Sequence, residues 1–238
     1  MRLPNFTAHL LTLLLAALPA PAAALYFTDV SSTFAIGGAG VVAGPAVPSS
    51  STGGTGVASF TGLVSPSGAL PASKMIGVGG SAASPPASFA TSTYLSGHLI
   101  SFDNTAGLVP LLAAFTFSYS WTIVVSADFP GAEFATAGAF FHITGIDNET
   151  LTIGGLVAPE FLVHPMFSTA LGETGGVGGA VVAGSILVPA GEFAVFSVIT
   201  DTSGLAVSAP EPATFGLALL AALVAGTRRF RGSATAKD

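Results

Sequence analysis

Phe115, Phe117, Tyr119, Trp121, Ile123 and Val125 fall on alternate positions, with Thr116, Ser118, Ser120 and Thr122 between them. Successive side chains of a strand point to opposite faces, so this stretch predicts a strand with an apolar inner face and a hydroxyl outer face. Leu25 to Phe34 predicts an earlier strand. Phe140–Thr144 and Thr150–Ile153 flank Ile146-Asp147-Asn148-Glu149 and predict a hairpin. Phe161–Phe167 is a further candidate strand. Val181–Val188 and Phe193–Thr200 predict a second hairpin turning at Pro189-Ala190-Gly191, and Gly172–Gly179 reads as a flexible loop.

No long helical period interrupts this pattern. From Gly37 to Ser92, Gly and Pro punctuate too often for helices, so short strands and extended loops are expected there. Strands at short intervals with Gly/Pro turns predict an all-β fold, an antiparallel β-sandwich of jelly-roll or Ig-like type. The expected divisions are 1–24, a secretory signal; 25–92, a Gly/Ala/Ser/Pro-rich first part of the β domain, partly loop; 93–201, the main strands; 202–209, a linker; and 210–238, a tail.

Both ends break the alternation. Arg2 precedes an apolar centre of Leu10, Leu11, Leu13, Leu14, Leu15 and Leu18, then Pro19 and Pro21. Ala22-Ala23-Ala24 matches the small-residue rule for signal cleavage, with Ala22 and Ala24 as the specifying residues and Leu25 as the first mature residue. At the other end, Ala213 to Thr227 carries no charge. As a helix its fifteen residues span roughly 22 Å, short of the ~30 Å hydrocarbon core; bilayer thinning or snorkelling of the flanking arginines covers such a deficit. The expected fold is therefore flanked by an N-terminal signal helix and a C-terminal transmembrane helix at about 213–227, with a basic tail at 228–238.

Pro210-Glu211-Pro212, the apolar run Ala213–Gly226, and Arg228, Arg229 and Arg231 together resemble the PEP-CTERM sorting signal. The resemblance covers about the last thirty residues and implies nothing about the middle, because carriers share a tail and not a fold. It implies processing by an exosortase-like membrane protease after passage through the Sec export machinery. It further implies a carrier that is transiently in the inner membrane with its β domain periplasmic, then at the cell surface or outside, among exopolysaccharide and biofilm matrix.

Composition narrows the middle. Charged residues make up only 8% of the chain, against a usual share of about 25%. Of six basic residues, only Lys74 lies between the two end segments, while ten carboxylates are spread through the same region. Such a mildly acidic domain repels phosphate backbones, which argues against nucleic acid as a partner. There is no cysteine, so disulfides, thiol catalysis and thiolate metal sites are excluded.

The remaining chemistry is sparse. Gly38-Ala39-Gly40-Val41-Val42-Ala43 and Gly77-Val78-Gly79-Gly80-Ser81-Ala82 fit a loose dinucleotide pattern, but prolines block any following helix. His98, His142 and His164 lack metal-binding spacing, and His142 reads as a structural strand residue. Asp147 and Glu149 read as a solvated turn rather than a calcium loop. No G-x-S-x-G motif is present. No catalytic, cofactor-binding or metal residues and no cofactor are expected. The sequence leaves three classes open: a structural or adhesive surface protein, which is not an enzyme; a carbohydrate-binding module; and a secreted hydrolase.

Overall fold

The computed structural model describes residues 23–36, 41–64, 71–83, 87–128, 133–146 and 149–209. The expected signal helix, the transmembrane helix and the sorting residues Pro210, Glu211, Pro212, Arg228, Arg229 and Arg231 lie outside them, as does Ala22. No α-helix occurs among the described residues, and none of their segments is a helix long and apolar enough to cross a membrane.

The strands are β1 (Ala23–Ile36), β2 (Val41–Gly54), β3 (Val57–Val64), β4 (Ala72–Ala83), β5 (Ser88–Asp103), β6 (Leu111–Ala127), β7 (Glu133–Gly145), β8 (Leu151–Ile153), β9 (Leu156–Ala158), β10 (Glu160–Val163), β11 (Met166–Ser168), β12 (Gly175–Val188) and β13 (Phe193–Ser208). One sheet runs β3-β4-β1-β6-β12-β8-β9 and the other β10-β7-β13-β5-β2, with β11 also on β7. Every pairing is antiparallel.

The two sheets pack face to face because alternate residues of their long strands are apolar. Phe115, Phe117, Ile123 and Val125 of β6 are buried, as the pattern predicts. They meet Phe141 and Ile143 of β7 and Phe196 and Val198 of β13 in one core. The ring of Phe117 lies edge-on to Phe141 at 6.4 Å. Full burial of such a side chain stabilises by about 1.5–3 kcal/mol, so this aromatic layer carries much of the packing. Trp121 is half-buried at its rim, 5.6 Å from the Phe167 ring.

Several local expectations need correction. Neither predicted hairpin forms. β7 pairs with β10, β11 and β13, whereas β8 pairs with β12 and β9 in the other sheet. β7 and β8 thus lie in different layers; Ile146 N–H donates to Val195 O at 3.0 Å, and Leu151 is fully buried. β12 and β13 also belong to different sheets, so the turn at Pro189-Ala190-Gly191 is an inter-sheet corner. Asn104 pins it, donating from Nδ2 to Val109 O, Val188 O and Pro189 O at 3.0, 3.2 and 2.8 Å.

The flexible loop expected at Gly172–Gly179 is mostly strand. β12 begins at Gly175, and its glycines make room for rings: a Cβ on Gly178 would lie 2.5 Å from the Trp121 indole. Residues 202–208, expected as linker, instead complete β13. There Thr202, Gly204, Ala206 and Ser208 alternate inward, and the Tyr26 ring lies on Gly204. The first part of the body, 25–92, is more regular than predicted, carrying β2, β3 and β4 between β1 and β5.

The two ends of the body emerge together. Ala23 N–H donates to Asp128 Oδ2 at 3.1 Å. Asp128 N–H donates to Glu133 Oε2 at 3.1 Å, and Ser208 Oγ–H donates to Glu133 Oε1 at 3.2 Å. The start of β1 and the end of β13 thus share one pole, while the corner held by Asn104 lies at the other.

Candidate functional site

Two places concentrate chemistry. The first is between the sheets. Ala72, Ile76 and Val78 face inward from β4, and the same period turns Lys74 inward as well. Its ammonium reaches the opposite layer and donates to Ser96 O and Val198 O, both at 2.7 Å. Beside it, Ser32, opposite Lys74 on β1, has its Oγ 2.7 Å from Thr200 Oγ1; farther along the same interface Tyr26 Oη lies 2.6 Å from Ser92 Oγ. Burial disfavours the charged form of Lys74 and lowers its pKa to about 7. The sequence marked Lys74 only as a lone cation; its strand period was the signal that could have placed it inside.

The second place is on the outer face of the five-strand path β10-β7-β13-β5-β2. Phe140 of β7 sits opposite Asp201 of β13, and Gly138 opposite Ser203. The bend between β10 and β11 carries His164 over them, held by Ala139 N–H donating to Pro165 O at 3.0 Å. These residues line a cleft of about 300 Å³, at the small end of ordinary ligand sites. Phe140 lies edge-on between His142 and His164, with ring centres 5.5 Å away in each case. His142 Nε2 is 2.7 Å from Glu160 Oε2.

Asp201 is the unusual member. Its Oδ1 is buried without a hydrogen-bond partner. Desolvation raises its pKa, opposed by a backbone hydrogen bond from Thr202 and by the charge of His164. Ser203, His164 and Asp201 share the cleft, and no hydrogen bond links them among the described residues. The cleft offers an aromatic ring, an acceptor short of a donor, an imidazole and a hydroxyl. That set suits recognition of a small hydroxylated ligand.

The three histidines do not converge. His98 is buried on β5, His142 is engaged with Glu160, and His164 faces Asp201. No group of three or more metal-ligating side chains occurs among the described residues. Glu149 Oε1 accepts from Val195 N–H at 3.3 Å, so it braces an inter-sheet crossing; Asp147 lies outside the described residues. Ala24, expected as the last residue before the signal cut, is fully buried within β1. No protein-family model, curated protein or solved structure matches the chain.

Proposed function

We propose that the chain is an exported protein of the cell surface or extracellular matrix, with a structural or adhesive role among exopolysaccharide. The observation that carries this is the three-part C-terminal pattern: Pro210-Glu211-Pro212, the uncharged run to Thr227, then Arg228, Arg229 and Arg231. An exosortase-like protease sorts the protein through that tail, after the Sec machinery has exported it through the N-terminal segment. The body starts and ends at one pole, which suits a domain held between two membrane-directed segments. We read its two layers as a β-sandwich of jelly-roll or Ig-like kind. Mass spectrometry of the extracellular fraction is expected to find a form lacking Arg228–Asp238. Recovery of full-length protein alone, in the inner membrane, overturns the reading.

A second reading, a carbohydrate-binding module, is favoured by the outer cleft. Phe140 supplies an apolar face and Asp201, Ser203 and His164 supply hydrogen-bonding groups for a sugar ring. Affinity electrophoresis through the producer's own polysaccharide tests it: retardation abolished by Phe140→Ala supports binding there, and equal mobility of both proteins refutes it.

A further inference from the structure

We infer that the leader is removed after Ala22, not Ala24, and that the new α-ammonium of Ala23 is a working part of the folded protein. This rests on the export reading above. Ala20-Pro21-Ala22 carries the same small-x-small signature as Ala22-Ala23-Ala24, so the sequence allows either cut.

The fold separates them. β1 is in register from Ala23, which pairs with Ala83, and Ala24 pairs with both Ala82 and Ala127. Ala24 is fully buried. A start at Leu25 removes one core residue and the first rungs of two ladders. A start at Ala23 keeps every described residue of β1.

The second argument is charge. Ala23 N lies 3.1 Å from Asp128 Oδ2, and Glu133 follows through the Asp128 amide. Lys74 is the one lysine or arginine from 23 to 209, and it is committed to carbonyls between the sheets. Hydrolysis of the Ala22–Ala23 amide consumes one water and yields the Ala22 carboxylate and the Ala23 amine. That amine takes up a proton at neutral pH. It then replaces a neutral amide donor with a cation against Asp128, which makes a shorter and stronger hydrogen bond. Through Asp128 and Glu133 the cation ties the start of β1 to Ser208 at the end of β13, so processing completes a latch between the two ends of the body.

The test is export of the full chain with its own leader in a Gram-negative host, followed by N-terminal sequencing of the exported protein. Ala23 as first residue is expected. Leu25 overturns the inference and leaves the export reading intact, whereas an uncleaved N-terminus overturns both. The latch has its own readout. Asp128→Asn is expected to lower Tm by about 1–3 °C in the exported protein. It is expected to change nothing in a variant lacking Ala23 and Ala24, whose leader joins directly to Leu25. An equal drop in both backgrounds overturns the latch.

Discussion

Lys74→Met is expected to raise stability at neutral pH and to abolish a pH dependence the protein otherwise has. The Lys74 pKa falls from 10.5 to about 7 on folding because the amine is buried. Between those values the unfolded chain holds a proton that the folded protein does not, so stability rises with pH across the window. The full span corresponds to about 5 kcal/mol at about 1.4 kcal/mol per unit. Below pH 7 the whole penalty is present; from pH 7 to 9 about 2 kcal/mol of it is relieved. The two carbonyl hydrogen bonds favour the charged form, so they narrow the window from its folded side without changing the sign of the slope. Methionine fills a similar volume and carries no proton to lose. Equilibrium urea unfolding at pH 7, 8 and 9 measures the effect. The midpoint of the wild-type protein is expected to climb with pH while that of Lys74→Met stays level. Parallel pH profiles for the two proteins refute the reasoning, because they would mean the ammonium stays solvated and charged in the fold.

Gly204→Val drives a side chain into the Tyr26 ring and is expected to cost about 1–3 kcal/mol or more in urea unfolding. Adding Tyr26→Ala is expected to give a non-additive cycle. Gly178→Val is expected to displace the Trp121 indole, read as a red shift in tryptophan emission, since Trp121 is the one tryptophan. The raised pKa of Asp201 means the folded protein holds its proton more tightly than the unfolded chain. Its stabilisation is therefore complete below the ordinary aspartate value of 3.8 and lost as pH rises through the higher folded value. Asp201→Asn is accordingly expected to be more stable than wild type at pH 7 and to converge with it in acid, as thermal melts at both pH values would register.

The sequence exposed β6 because large apolar side chains alternate there with hydroxyls, and it exposed β1 by its density of aromatic and β-branched residues, although Thr28 and Ser32 face inward while Leu25 and Phe27 face out. It left less legible β4, the start of β12 and the end of β13, where Gly, Ala and Ser occupy much of the strand. Small residues carry no hydrophobic signal, yet they form strands when a ring such as Tyr26 or Trp121 fills the space above them. The two supposed hairpins failed for another reason. A turn such as Pro189-Ala190-Gly191 says that the chain reverses, not which sheet receives the next strand. That choice is made by distant partners, here Leu112 opposite Leu187 and Phe102 opposite Ala194. The outer cleft was illegible for the same reason. Phe140, His164 and Asp201 are far apart in the chain, and only the β7–β13 register and the Pro165 bend bring them together.

β13 leads straight to the tail, with Ala209 alone between Ser208 and Pro210. Over its whole length it is clamped by β5, and from Phe196 onward also by β7. Ladder bonds lie across the strand axis. Tension entering through the C-terminus would therefore load two rows of them in shear, all at once, rather than peeling them one by one. Were the body held by this end, as proposed above, the same two ladders would oppose its extraction under load.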